Sequence, residues 1–226
     1  MNSSMGFRVF TLVAAGCLFA LTAAAQSSTS GGSSSTGTTA ASGGSTSSGT
    51  QGAPPPGTFN RRRENQQDRI ANGIQNGQLN AGETRHLEGE EAGINKEAQT
   101  MRSQDNGHLT AADRQALNQQ QNNMSKQIYQ DKHNGNGAHY GNNEVGQRRE
   151  NQQDRIAQGV RSGQLTAGET ARLERQQQNI NHQVAADRSA NGGKLTSGEK
   201  QQINKEQNQA SKNIYKDKHN QATRKQ

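Results

Sequence analysis

The sequence predicts an all-α fold of two tandem three-helix repeat units after a signal peptide and a disordered Ser/Gly/Thr linker. Three observations predict it: an ungapped internal duplication, apolar residues at helical spacing, and helix-capping signatures between the apolar stretches. Arg62 to Asn134 aligns with Arg148 to Asn220 at a constant offset of 86, with 39 of 73 positions identical. Composition narrows the class further. The 226 residues are 27% hydrophobic and 3% aromatic, with no Trp and a mean hydropathy of -1.16, against about 45–50% apolar usage in ordinary globular domains. A large enzyme-type core is excluded.

The first element is residues 1–25. Arg8 supplies a charged start, an apolar stretch runs from Val9 to about Ala24, and Ala23, Ala24 and Ala25 precede Gln26. This is the pattern of a secretory signal cleaved after Ala25, which predicts a secreted or periplasmic protein. Because the stretch is shorter than the roughly 20 apolar residues of a spanning helix, no transmembrane segment is expected after cleavage. Cys17 raises lipidation as an alternative, against which Ala14 stands where such sites usually carry Leu. If Cys17 leaves with the signal, the mature chain has no cysteine and no disulfide.

Residues 26–60 are predicted to be a disordered linker. Ser27 to Gly52 is almost purely Ser, Thr, Gly and Ala, followed by Ala53 and Pro54 to Pro56; nothing there offsets the entropy of ordering.

The repeat units are expected at 61–134 and 148–220, joined by a Gly/Asn-rich connector at 135–147 and followed by a basic tail at 221–226. In the first unit Ile70 and Ile74 lie four apart, Leu87, Ile94, Ala98 and Met101 follow at 7, 4 and 3, and Leu117, Met124 and Ile128 at 7 and 4. These stripes predict helices at roughly 61–76, 81–104 and 111–134, with equivalents 86 residues later. Four segments punctuate them, beginning at Gly77, Gly107, Gly163 and Gly193. Each runs from Gly through Leu to an Asn or Thr N-cap, with an acid three residues on (Glu83, Asp113, Glu169 and Glu199), which is the form of a capping box.

Polar residues interrupt the seams. Gln121 and Gln207 correspond, and Gln177 stands in the middle helix of the second unit. Each unit also has too few large apolar side chains to fold comfortably alone. The expectation is that the units pack together, that the chain self-associates, or that a protein partner completes the seam.

The chemistry-bearing residues point away from catalysis. No nucleophile elbow, phosphate loop or Ser/His/Asp order occurs, Glu90 and Glu91 are expected on a solvated face, and no catalytic residue or cofactor is assigned. Gly107, Leu109 and Asp113, like Gly193, Leu195 and Glu199, resemble the second half of an EF-hand loop. Arg102, Gln104 and Asn106, or Arg188, Ala190 and Gly192, stand where that loop needs oxygen ligands. A calcium-binding module is therefore a lesser alternative. His133 and His219, beside Lys132 and Lys218, suit the negative end of a helix. A metal site from Asp131, His133 and His139 has no counterpart of His139 in the second unit, so no metal residue is assigned. With its tandem Gly-x-Leu-Thr-x-x-Glu units ending in a Lys-His pair, the chain resembles a loose group of small secreted bacterial proteins; the resemblance implies an all-helical exported protein.

Charge divides the copies. The net charge is +7; Arg61 to Asn134 holds ten Lys/Arg and ten Asp/Glu, whereas Arg148 to Gln226 holds fifteen and eight. A structural or protein-interaction role in the cell envelope is expected, with non-specific binding of an anionic polymer or surface (nucleic acid, lipid or wall polymer) as the alternative. Its candidate contacts are Arg148, Arg149, Arg155, Arg161, Arg172, Arg175, Lys205, Lys212, Lys216, Lys218, Arg224 and Lys225. Arg61 to Arg63 and Arg148 to Arg149 oppose the dipole of a helix starting there, so either the helices begin near Glu64 and Glu150 or the arginines make contacts.

Overall fold

A computed structural model describes residues 54–55 and 57–223. The expected signal peptide, the linker up to residue 53, and Arg224 and Lys225 lie outside the described residues. Six helices follow one another: α1 (Thr58–Gln75), α2 (Ala81–Gln104), α3 (Ala111–His133), α4 (Glu144–Arg161), α5 (Ala167–Ala190) and α6 (Ser197–Lys218). No strand occurs among the described residues, and the fold is all-α as predicted.

All four expected capping boxes form. Asn80, Thr110, Thr166 and Thr196 each accept from the backbone three residues on, and the acid there accepts from the N-cap backbone. These bonds satisfy donors that a helix start leaves without partners.

Two boundaries differ from the sequence expectation. α1 begins at Thr58, inside the expected linker, and α4 at Glu144, inside the expected connector, behind an Asn143 cap. Packing draws them back: Phe59 and Val145 are buried, and the carbonyls of Phe59 and Val145 accept from the Gln121 and Gln207 side chains at 3.0 and 2.9 Å. The arginines then fall beyond the first turn, where the dipole opposes them little. Arg62 reaches Asn118 and Asn122 on α3, and Arg148 reaches Asn204 and Asn208 on α6.

The turn after α1 is set by close approach. A Cβ on Gly73 would meet Leu79 at 2.7 Å, and one on Gly159 would meet Leu165 at 2.6 Å. Both leucines are fully buried over those glycines, and Leu79 N–H and Leu165 N–H donate to the Gly73 and Gly159 carbonyls at 3.0 Å.

Within each copy the third helix lies on the first and second; between copies α1 packs on α4 and α2 on α5. Like meets like, as in a twofold-symmetric dimer, but within one chain. Gly82 at the start of α2 lies beside Gln178 in mid α5, and Ala92 in mid α2 shares a cleft with Gly168 at the start of α5, so these helices run antiparallel. Ile70, Ile74, Leu79, Leu87, Leu117 and Ile128 join Ile156, Val160, Leu165, Leu173 and Ile214 in one buried cluster. The two copies share a core. Val145, Ile180, Val184, Ile203 and Ala210 form a second cluster in the second copy.

The solvated reading of Glu90 and Glu91 holds only for Glu90, which is exposed beside His86 at 3.2 Å. Glu91 is 1% exposed. α2 is sandwiched between α3 and α5 and therefore buries two faces, so Glu88 and Glu91 turn inward as well as Leu87 and Ile94.

Candidate interaction surface

The buried polar residues are spent on joining helices. Gln67 Nε2 donates to Glu88 at 3.0 Å and Gln153 Nε2 to Glu174 at 2.9 Å, while Gln66 and Gln152 donate to the Gln121 and Gln207 carbonyls at 2.7 Å. Gln177, expected to interrupt its seam, donates to Gln152 at 3.1 Å. Each bond stitches one helix to another, although among the described residues the amide oxygens of Gln66, Gln67, Gln177 and Gln207 are buried without a hydrogen-bond partner.

Six of the expected anion contacts are engaged within the protein, although only Arg149 is buried and Arg161 and Arg172 stay exposed. Arg149 is buried, its guanidinium 5.2 Å from the centre of the Tyr140 ring, and burial lowers its pKa while Tyr140 opposes the change. Arg148 bonds Asn204 at 3.2 Å, and Arg155 bonds the Ser211 carbonyl at 3.2 Å. Arg161 crosses to α1 and bonds Asn72 and Gln75 at 2.6 and 2.8 Å. Arg172 pairs with the buried Asp217, and Lys218 donates to Gln158 at 2.9 Å. Burial and then the Arg155 charge lower the Lys218 ammonium pKa.

Arg175, Lys205, Lys212 and Lys216 are exposed. The three lysines, spaced by 7 and 4, share one side of α6, opposite the buried Ile203, Gln207, Ala210 and Ile214. α6 packs only on α4 and α5, so this side faces outward. On α3 the matching positions are Gln119, Lys126 and Gln130. Two of the changes that make the second copy more basic, Lys205 for Gln119 and Lys216 for Gln130, thus fall on one outward helix face, with Lys126 and Lys212 common to both copies.

The same face carries a feature that the sequence reading missed. Tyr215 is 61% exposed and stacks on His219 with ring centres 4.1 Å apart, as Tyr129, also 61% exposed, stacks on His133 at 4.2 Å. In each pair the histidine Nδ1 lies 2.6–2.7 Å from the tyrosine carbonyl oxygen. A carbonyl only accepts, so Nδ1 carries the proton. The histidines cap the helix end as expected and also hold the tyrosine rings in place. The signal was legible as Tyr-x-x-x-His, one helical turn apart, in both copies.

The acids of the EF-hand-like segments serve the helix starts. Asp113 accepts from Thr110 Oγ1 and N–H at 2.7 and 2.8 Å, and Glu199 from Thr196 N–H at 2.7 Å. Those bonds hold both carboxyls below the usual range. Arg102, at the expected ligand position, lies 5.6 Å over the Phe59 ring. Among the described residues no group of three His, Cys, Asp or Glu side chains is placed to hold a metal ion; Asp131 turns inward, away from exposed His133 and His139.

No family model, no curated protein and no solved structure matches this chain. Among the described residues no helix is long and apolar enough to cross a membrane.

Proposed function

We propose that this chain is an exported, non-enzymatic helical repeat protein of the cell envelope that works by interaction, holding an anionic polymer or surface on the outer face of α6. The observation that carries this is the Lys205, Lys212 and Lys216 stripe beside Tyr215, on a helix whose other face is committed to the core. Export rests on the pattern of residues 1–25, and the Ser/Gly/Thr-rich stretch after it suits a tether. A non-catalytic role agrees with the use of the buried carboxylates and amides in helix pairing.

Retention of the whole chain on a phosphate-bearing column across a salt gradient tests the reading, because counterion release makes such binding fall steeply with salt. The triple variant Lys205→Gln, Lys212→Gln, Lys216→Gln should elute markedly earlier. The matching α3 variant Lys126→Gln should elute close to the parent. If the triple variant elutes with the parent, α6 is not the binding face and a purely structural role stands in its place.

A further inference from the structure

Each copy has a cleft beside the loop that precedes its third helix, and the chain's own groups furnish only the first. There the segment ahead of α1 forms a wall: the Pro54 carbonyl accepts from Arg114 Nε at 2.8 Å, and the Leu109 carbonyl accepts from the same guanidinium at 2.7 Å. The Phe59 ring lies against Arg102, whose guanidinium carbon is 5.6 Å from the ring centre. Both arginines are thus engaged, and the space that remains is about 310 Å³.

The second copy keeps the frame and changes what fills it. Val145 stands at the position of Phe59, so Arg188, the counterpart of Arg102, faces a smaller side chain with no ring. The connector ahead of α4 sets Tyr140 against Arg149 at 5.2 Å instead of supplying a match for Pro54. Lys200 replaces Arg114 and Lys194 replaces His108. The result is a cleft of about 370 Å³ between the start of α4 and the loop from α5 to α6, every lining residue of which is described. Its lining includes the buried Val145 and half-buried Leu195 together with Arg188, half-buried, and Lys194 and Lys200, both exposed. Among the described residues these three cations have no hydrogen bond or ion pair through their side chains. Burial lowers the Arg149 pKa, Tyr140 opposes the change, and the Arg188 charge lowers it further; an anion in the cleft would relieve that repulsion. Glu144 is the one carboxylate in the lining, against three cations.

We propose that this cleft is a docking site for an acidic segment of a partner protein that carries an aromatic side chain. The ring takes the place that Phe59 holds in the first copy, against Val145 and Leu195 and on the Arg188 guanidinium, and its flanking carboxylates meet Lys194 and Lys200. The duplication thereby turned a cleft closed by the chain's own proline and phenylalanine into one that takes those groups from outside. A second copy is a poorer occupant, because its Phe59 and Tyr140 are held against Arg102 and Arg149 and its Tyr129 and Tyr215 against His133 and His219.

The test is fluorescence anisotropy of a labelled peptide with one phenylalanine flanked on both sides by aspartates, titrated against the whole chain. Saturable binding is expected, weakened about tenfold or more when the peptide phenylalanine is replaced by alanine. The chain variant Val145→Phe, which copies the first half, should abolish binding while keeping the melting temperature. The double variant Lys194→Gln, Lys200→Gln changes only exposed side chains; it should weaken binding about tenfold and serves if the first variant does not fold. Absence of saturation at millimolar peptide overturns the proposal. Equal binding of the phenylalanine and alanine peptides overturns it too, since the cations would then be an ordinary charged surface, and so does binding unchanged in a folded Val145→Phe or in the double variant. The α6 triple variant should still distinguish the two peptides, and Val145→Phe should elute from the phosphate-bearing column with the parent, which separates this site from the anionic-polymer face.

Discussion

Replacing Glu174 by glutamine should stabilise the protein at neutral pH and leave it unchanged in mild acid. Glu174 is fully buried on α5 and accepts from Gln153 Nε2 at 2.9 Å. Burial pushes its pKa from 4.5 up to about 8, with the Gln153 bond opposing the rise. A folded-state pKa above the unfolded value means that the folded form binds the proton more tightly. Its contribution is therefore complete below pH 4.5 and is lost as pH rises toward 8. Over that window each pH unit removes about 1.4 kcal/mol, or roughly 3 kcal/mol by pH 7. Glutamine keeps the shape and an oxygen to accept from Gln153 but never ionises; the Glu91 and Gln177 pair shows the two residues at matching buried positions. Urea denaturation from pH 4.5 to 8 should give curves for parent and Glu174→Gln that coincide at the acid end and separate by about 3 kcal/mol at pH 7. A difference that does not vary with pH, or a variant less stable than the parent at pH 7, would refute the reasoning.

Other outcomes follow from the packing. Gly159→Ala forces a Cβ into Leu165 and should cost about 1–3 kcal/mol by thermal melting, whereas Gly168→Ala, with open space around it, should cost far less. Thr196→Ala removes the cap of α6 and should cost about 1 kcal/mol; a melting curve identical to the parent's would count against the capping box. Residues 54–143 alone expose the faces of α1 and α2 that α4 and α5 cover, so this half should melt broadly or self-associate in sedimentation. A cooperative monomeric transition as high as the whole chain's would show that the copies are independent.

Much of the fold was legible because it depends on local chemistry. Asn80, Thr110, Thr166 and Thr196 with their acids mark helix starts through bonds that span three residues, and Ile70, Ile74, Leu87 and Leu117 mark the buried sides through spacing alone. The starts of α1 and α4 were misplaced because Phe59 and Val145 are drawn in by Gln121 and Gln207, each 62 residues away. For the candidate site, the sequence showed how many positive charges the second copy carries. It could not show that Arg149 is buried against Tyr140, that Arg148, Arg155 and Arg161 bond to neighbouring helices, or that Lys205, Lys212 and Lys216 share an outward side of α6.

The sequence by itself determined the helices, their caps, the duplication and the charge difference between the copies, since each is set by residues within a few turns of one another or by comparison along the chain. Tertiary structure alone decided that the copies share one core, that Glu88, Glu91 and Glu174 are buried, and that the connector sets Tyr140 against Arg149. The physical reason is that a helix pressed on two sides buries residues that a single apolar stripe marks as solvated. Which second side is covered depends on a partner helix that no local pattern names.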